Sequence, residues 1–151
     1  MKITIWIIAI SVFVLDRISK LWISQKFALN ETTEIIKNIF HLTLVHNTGA
    51  AFGIFRNQTL FFISISVFAI VAIIVYIKRS PKHSRSRDIA LALILGGAFG
   101  NLVDRLFFGY VIDFLDFRVW PVFNVADSAI TIGTVLLIFS LVHKNKIPNT
   151  K

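Results

Sequence analysis

The stretch that decides the fold runs from Gly96 to Asp127 and reads GGAFGNLVDRLFFGYVIDFLDFRVWPVFNVAD. It places four aspartates between two strongly apolar segments, namely Asp104, Asp113, Asp116 and Asp127. The whole chain has eight Asp and Glu residues, so half of them lie in this one stretch. Carboxylates at the edge of a membrane cost free energy to place there, and they usually mark a functional site.

The composition around this stretch indicates a membrane protein. The 151 residues are 56% hydrophobic, whereas soluble domains are about 45–50% apolar. There is no cysteine, which excludes disulfides, a cysteine nucleophile and a zinc–thiolate site. The net charge of +8 is concentrated in short stretches beside apolar runs, as the positive-inside rule predicts, and it forms no basic groove for nucleic acid.

The first apolar run begins at Ile3, directly after Lys2, and resembles a signal peptide in length. No small-x-small cleavage site follows it, and about 20 residues are needed to span a membrane, so we predict a transmembrane helix over 3–23. This helix carries Asp16 and Lys20 at i and i+4, the spacing of an ion pair. The pair is either an interfacial one that extends towards water or a structural brace for a site at that membrane face.

Three further apolar runs predict transmembrane helices over 59–77, 89–108 and 125–142. In the second of them, Gly96 and Gly100 form a small-xxx-small pattern that permits close helix packing. Asn124 and Asp127 stand at the start of the last helix, where an N-cap Asn and an Asp in the first turn are ordinary helix-start chemistry. The fold class is therefore an all-α polytopic membrane protein with a single domain, 1–151.

Two polar segments connect these helices on one side. In the longer one, 25–57, the residues Ile39 to Val45 are rich in β-formers and predict a strand. A turn with two glycines, His46 to Gly53, follows it, and Asn47 there either caps a helix or turn or contacts a substrate. The other segment, 109–121, is short and rich in aromatic residues.

The positive charges predict the orientation of the four spans. Lys2, the loop 78–87 and the tail 144–151 lie on one side, which is rich in Lys and Arg and is therefore the cytoplasm, with nucleic-acid binding by the loop as the weaker alternative. The segments 25–57 and 109–121 then lie outside. Polar residues from all parts of the chain converge near this outer face, namely Asp16, Lys20, Asn47, Asn101, Asp104, Asp113, Asn124 and Asp127.

The residue types at this outer face restrict its chemistry to carboxylates. There is no Ser–His–acid arrangement and no His/Cys cluster suited to zinc, so no metal or other cofactor is expected. Two aspartates held close together cannot both ionise, so they share one proton and act as a general acid and a general base on one water. This is aspartic-protease chemistry, although spacing alone does not choose among Asp104, Asp113 and Asp116.

Five motifs resemble the lipoprotein signal peptidase (signal peptidase II) family, in the family's order and over nearly the whole chain. They are Asp16-Arg17-Ile18-Ser19-Lys20, Asn47-Thr48-Gly49-Ala50-Ala51-Phe52-Gly53, Gly96-Gly97-Ala98-Phe99-Gly100-Asn101-Leu102-Val103-Asp104-Arg105, Val111-Ile112-Asp113-Phe114 and Phe123-Asn124-Val125-Ala126-Asp127-Ser128. The family comprises bacterial inner-membrane aspartic peptidases that process lipid-modified prolipoproteins.

The resemblance implies that Asp113 and Asp127 are the catalytic pair. It implies that supporting and substrate-binding roles fall on Asp16, Lys20, Asn47, Gly49, Asn101, Asp104, Arg105 and Asn124. It also implies a small extracytoplasmic β-cradle, which fits the strand predicted at 39–45, and a lid over the site, which fits 109–121.

The resemblance further implies the reaction. An intramembrane aspartic endopeptidase would remove the signal peptide from diacylglyceryl-modified prolipoproteins by cleaving before the lipidated Cys. The implied setting is the bacterial inner membrane, with both termini cytoplasmic and the active site near the outer face. We expect a monomer whose partners are prolipoproteins and membrane lipids, and no nucleic acid.

One residue departs from the family pattern. Gln is common after the first Asp, and this chain has Arg17. We expect its side chain to extend outward to the interface and to leave Asp16 and Lys20 unaffected.

Two other classes of function compete with a peptidase. Intramembrane carboxylates with a Lys partner also mark ion pathways, but here they cluster at one face, and no inverted repeat is visible. A membrane scaffold that associates through Gly96 and Gly100 would leave the aspartates unexplained. Replacing Asp113 with Asn separates a scaffold, which should tolerate the change, from a peptidase, which should fold but not cleave.

Overall fold

The computed structural model describes residues 2–49, 58–80 and 84–144. This part of the chain forms four helices and a small sheet. In chain order the elements are α1 (Lys2–Lys26), β1 (Thr32–Ile36), β2 (Phe40–Asn47), α2 (Thr59–Arg79), α3 (Arg85–Phe108), β3 (Val111–Asp116) and α4 (Val125–Lys144).

Three of the described helices are long and apolar enough to cross a membrane, over Thr59–Arg79, Arg85–Phe108 and Val125–Val142. Each of them has exposed large apolar side chains, and on α2 Leu60 and Phe68 are 76% and 77% exposed. Such exposure is unfavourable in water but suits lipid, where the outer surface of a bundle needs no polar cover. The predicted membrane protein is therefore confirmed in these three spans.

The helix α1 is continuous over 25 residues, but Asp16, Arg17 and Lys20 interrupt its apolar character. The fourth span therefore stays a prediction. The inner face of α1 is well packed: Ile5, Ala9 and Ile23 are nearly or fully buried.

The most buried helix is α3, which packs against the three others. Its small residues permit this, because a Cβ at Gly96 would overlap the α1 backbone at Ala9, and one at Gly100 would overlap the Asp16 carboxylate. The close packing predicted from Gly96 and Gly100 is confirmed, and the neighbour is α1. The apolar side chains at this interface, among them Leu95, form the core of the bundle.

The three strands form one antiparallel sheet in the order β1-β2-β3. The strand predicted over 39–45 is confirmed as β2, which runs from Phe40 to Asn47. It pairs with β3 so that Val45 lies opposite Asp113 and Leu42 opposite Leu115, with an extra β2 residue between them. A small core of Ile23, Leu44, Ile112 and Phe114 lies between the sheet and α1.

The turn from α3 into β3 takes two residues. Gly109 has φ +80° and its N–H donates to the Arg105 carbonyl, which ends the helix in the left-handed conformation that glycine adopts without strain. Because the connection is this short, β3 returns directly past the last turns of α3. The segment 109–121 therefore contributes a strand to the sheet.

Candidate active site

Asp113 lies in the middle of β3 and is 1% exposed. Its Oδ1 accepts a hydrogen bond from Asn124 Nδ2 at 2.7 Å, and its Oδ2 accepts one from Asn47 Nδ2 at 2.9 Å. Burial and, next, the negative charge of Asp127 raise the pKa of Asp113 to about 7. The two amide hydrogen bonds and the charge of Lys20 oppose this rise, so without them the carboxyl would ionise still less readily.

Asp127 lies in the first turn of α4 and is half-buried. Its backbone N–H donates to Asn124 Oδ1 at 2.8 Å, and its Oδ2 accepts from the Asn124 N–H at 3.3 Å. These reciprocal bonds form a capping box, which confirms the helix-start chemistry predicted for this pair. The cap leaves Oδ1 for a different partner, Asn101 Nδ2, at 2.7 Å.

The two carboxylates are joined by a bridge of two amides, Asn101 and Asn124. Asn124 Nδ2, which donates to Asp113, also lies 3.2 Å from Asn101 Oδ1, and the Asn101 amide donates in turn to Asp127. Both amides are at most 5% exposed. The bridge therefore fixes β3, α3 and the start of α4 relative to one another at the level of the two carboxylates.

Lys20 extends from α1 into the centre of this arrangement and is fully buried, as is Asp16. Its ammonium lies 2.8 Å from Asp16 Oδ2, 2.7 Å from Asp104 Oδ2 and 3.0 Å from Asn101 Oδ1. Asp16 Oδ1 also accepts from the Ala126 N–H at 3.0 Å, at the start of α4. The burial excludes the interfacial pair for Asp16 and Lys20 and supports the structural brace.

Asp104 is fully buried and binds two cations. Besides Lys20, Arg17 Nη1 lies 2.6 Å from its Oδ1. The expectation that Arg17 would extend outward to the interface is therefore wrong. Lys20 binds Asp104 Oδ2, so Oδ1 can accept from Arg17, which lies about one turn before Lys20 on α1. This contact stabilises the buried carboxylate by more than Arg17 would gain from hydration at the interface.

The end of β2 and the turn that follows it bring Asn47 and Gly49 to the site. Asn47 Oδ1 accepts from the Gly49 N–H at 2.9 Å, a local turn that leaves its amide nitrogen free for Asp113. Arg105 Nη2 lies 3.4 Å from the Gly49 carbonyl, and its guanidinium stacks over the Phe62 ring. The remainder of this motif, 50–53, lies outside the described residues.

Asp116, which spacing alone did not separate from Asp113, stands apart from the cluster. It accepts from Thr43 Oγ1 at 2.7 Å and from the Arg118 N–H at 2.8 Å. No motif in the chain connects Thr43 or Arg17 with an aspartate. For Arg17, its position beside Asp16 was the available signal.

A largely apolar cavity of about 450 Å³ opens beside Asp127. Its lining includes Phe117, Trp120, Ser128 and Thr131. In the described part of the chain, no group of three or more His, Cys, Asp or Glu side chains is arranged to hold a metal ion. The arrangement offers two neighbouring carboxyls beside an apolar cavity, and burial raises the pKa of Asp113. This suits general acid–base chemistry on an apolar substrate.

Comparison with known proteins identifies the family. A family model described as signal peptidase (SPase) II matches residues 8–143. The chain belongs to the signal peptidase II family. Signal peptidase II enzymes are peptidases, so the chain is a peptide-bond hydrolase, and its apolar helices place it in a bacterial membrane.

Curated relatives and solved structures agree with this assignment. The lipoprotein signal peptidase of Halothermothrix orenii is 45% identical over 95% of this chain and 98% of its own length. That of Moorella thermoacetica is 46% identical over 89% of this chain and 90% of its own length. A solved structure described as a bacterial membrane enzyme superposes with a TM-score of 0.92 at 30% identity, over 98% of this chain and 93% of that one.

Proposed function

We propose that Asp113 and Asp127 form the catalytic pair of this signal peptidase II family member. The enzyme removes the signal peptide from diacylglyceryl-modified prolipoproteins by cleaving before the lipidated Cys. The observation that carries the assignment is that one amide bridge, Asn101–Asn124, binds both carboxylates. The raised pKa of Asp113, about 7, agrees with it because a pair of this kind must hold one proton near neutral pH.

In the proposed reaction the pair shares one proton between its two carboxyls. The ionised carboxylate removes a proton from a water molecule, which attacks the scissile carbonyl. The protonated carboxyl donates a hydrogen bond to that carbonyl and later helps to protonate the leaving amine. The proton is a property of the pair, so either carboxyl can supply it.

The surrounding polar residues have distinct proposed roles. Asn101 and Asn124 orient the two carboxyls, and Asn47 holds the second oxygen of Asp113. Asp16, Lys20 and Asp104 brace α1 against α3 and the start of α4. Arg105 and Gly49 contact each other beside the site, and this contact supports a role in holding the substrate backbone.

The cavity beside Asp127 supports entry of the substrate from the membrane. Its apolar lining suits a signal peptide that is itself embedded in lipid, with the diacylglyceryl chains of the Cys remaining in the bilayer. Phe117 and Trp120 line this cavity and belong to the segment 109–121. We therefore assign the tip of that segment as the lid.

The proposed topology has four spans, with α1 as the first. Lys2, the loop 78–87 and the tail then lie in the cytoplasm, where Lys and Arg are favoured. The sheet and the aspartate pair lie at the outer face. The working unit is a monomer surrounded by membrane lipids.

The deciding experiment measures cleavage of a diacylglyceryl-modified prolipoprotein by the purified chain in detergent. Asp113→Asn and Asp127→Asn should each reduce cleavage by about 10³-fold or more, because each removes one of the two groups that transfer protons. Asp116→Asn is the matched control, since it makes the same change on the same strand, outside the pair.

The contrary outcomes point in different directions. Full activity in Asp113→Asn or Asp127→Asn would remove that residue from the pair and make Asp104 or Asp116 the next candidate. Absence of cleavage by the well-folded parent would return the ion-pathway interpretation to consideration.

A further inference from the structure

The buried ammonium of Lys20 has no donor to spare. An ammonium group has three N–H donors, and three acceptors surround this one: Asp16 Oδ2, Asp104 Oδ2 and Asn101 Oδ1, at 2.7–3.0 Å. All three acceptor residues are at most 5% exposed. Lys20 therefore cannot satisfy the second oxygen of Asp104 as well.

The charges of this cluster balance only when Arg17 is included. Asp16 and Asp104 carry two negative charges, and Lys20 supplies one positive charge. Arg17 supplies the second through its contact of 2.6 Å with Asp104 Oδ1, while its own side chain is 16% exposed. Without it, a buried carboxylate would remain uncompensated, which is costly in a low-dielectric site.

Asp104 in turn holds the strand that carries Asp113. Its Oδ2 accepts from the Ile112 N–H at 3.2 Å, one residue before Asp113. The Ile112 carbonyl lies 3.3 Å from Asn124 Nδ2, which also binds Asp113. The cation on Asp104 therefore acts on the position of β3 as well as on the charge beside it.

We propose that Arg17 is a positioning residue for the peptidase reaction: it neutralises Asp104, so that Lys20 stays bound to Asn101 and the strand carrying Asp113 keeps its place. This inference rests on the proposed catalytic pair and goes beyond it. Arg17 touches no reacting atom. It reaches the site from α1 past a cavity of about 360 Å³ that it lines together with Leu21, Phe108 and Tyr110.

Loss of the Arg17 guanidinium should leave the negative charge of Asp104 uncompensated near Asp113. The charged groups around Asp113 are Lys20 on α1, Arg105 and Asp104 on α3, and Asp127 on α4, while its hydrogen-bond partner on β2 is the neutral Asn47. Of these, Lys20 favours its ionisation and Asp127 opposes it. An uncompensated Asp104 further opposes the ionisation of Asp113 and attracts Lys20 away from Asn101.

The test is the pH profile of kcat and kcat/KM for cleavage of a diacylglyceryl-modified prolipoprotein in detergent. In Arg17→Gln the descending limb should move to higher pH by on the order of half a unit, and kcat should fall about tenfold with KM little changed. Arg17→Lys keeps the charge and should restore the limb of the parent. Lys26→Gln removes a positive charge from the exposed end of the same helix and should leave the profile unchanged.

Each outcome decides the inference. A folded Arg17→Gln with the parental limb overturns it. If Arg17→Gln does not fold, as judged by its melting temperature in detergent, Arg17→Lys decides: a parental limb supports the inference and a displaced one overturns it. An inactive parent would instead defeat the proposed function, and is thus distinguishable from failure of the inference alone.

Discussion

The strand β3 carries two aspartates, Asp113 and Asp116, that have similar solvent exposure but different partners. Asp113 and Asp116 are three residues apart, and because side chains alternate along a strand they lie on opposite faces. Both are nearly buried, at 1% and 5% exposure. Yet the pKa of Asp113 is raised to about 7, whereas the pKa of Asp116 is lowered.

Burial acts to raise the pKa of both carboxyls and is the largest cause of the rise at Asp113, so the difference depends on whether the partners offset it. Burial disfavours ionisation of Asp116 too, but hydrogen bonds from Thr43 and the Arg118 N–H, with the charges of Arg118 and His41, outweigh it and lower its pKa. Asp113 has only neutral amides as direct partners and faces a second carboxylate, Asp127. Burial and, next, a second negative charge held nearby by an amide bridge thus distinguish the proposed proton-transfer group, Asp113, from Asp116.

Removing the side-chain donors to these two aspartates should give the largest difference in kcat. The donor to Asp113 is the Asn124 amide and the donor to Asp116 is the Thr43 hydroxyl. Asn124→Leu removes the donor to Asp113 and half of the amide bridge, and should lower kcat by about 10²-fold, since the pair loses its relative orientation. Thr43→Val removes the donor to Asp116 and should leave kcat within about twofold. Both are measured by cleavage of the lipid-modified precursor.

Stability has to be measured alongside, because Asn124 also caps α4. Losing an N-cap costs about 1 kcal/mol, so Asn124→Leu should remain folded with a lower melting temperature. A variant that is folded but retains the parental kcat would remove the amide bridge from the proposed mechanism.

The pH dependence of the parent enzyme is the next largest effect. If the pair must hold one proton, activity should fall as the pH rises through the pKa of Asp113, about 7, and by up to about tenfold for each pH unit above it. The check is kcat/KM from pH 5 to 9 in one detergent. An unchanged rate up to pH 9 would show that the pair does not need this proton, or that a different group supplies it.

The helices of the fold can be predicted from the sequence because an apolar segment in lipid has to form its backbone hydrogen bonds internally. A charge-free run such as 59–77 must satisfy every backbone group internally, so the start of α2 at Thr59 is predicted correctly. The strand β2 follows from its β-formers. The strands β1 and β3 do not follow from the sequence, since Thr32–Ile36 lies in a polar stretch and Val111–Asp116 contains two residues that disfavour strands.

The candidate site can be predicted only in part from the sequence, because its contacts join segments that are distant in the chain. The convergence of polar residues at one level follows from topology, but the choice of Asp113 over Asp116 depends on strand pairing and on the distant Asp127. Arg17 is a second case: its partner Asp104 is 87 residues away in the chain, and the side chain alone predicts exposure at the interface. In both cases, contacts between segments that are distant in the chain determine the surroundings of the side chain.

Stability as a function of pH distinguishes the two aspartates with opposite signs. The pKa of Asp113 is raised from 3.8 to about 7, so its ionisation costs the folded state free energy that grows from about pH 4 and levels off above about pH 7. Asp113→Asn lacks this cost and should be more stable than the parent at pH 8, by on the order of 1 kcal/mol or a few degrees in melting temperature.

For Asp116 the sign is reversed. Its lowered pKa contributes stability above 3.8, which is lost as the pH falls through the folded-state value. Asp116→Asn should therefore be less stable than the parent at pH 8, by less than about 1 kcal/mol. Melting in detergent at pH 5 and pH 8, followed by tryptophan fluorescence, measures both variants, and shifts of the same sign at pH 8 would contradict the comparison.

The smallest expected effect is that of Arg118→Gln. The guanidinium lies 3.6 Å from Asp116 Oδ2 and its side chain is 48% exposed, so the pair is worth at most about 0.5 kcal/mol. The stronger contact, the backbone N–H to Asp116 Oδ1 at 2.8 Å, survives the substitution. Melting temperature and kcat/KM should both stay close to those of the parent, as should their dependence on salt.

A larger effect of Arg118→Gln would have a specific meaning. Arg118 lies between Phe117 and Trp120, which line the cavity beside Asp127. If the variant raised KM while its melting temperature stayed unchanged, this end of β3 would contact the substrate, as the proposed lid requires, even though Asp116 takes no part in the chemistry. The comparison would then be between a catalytic end and a substrate-binding end of the same strand.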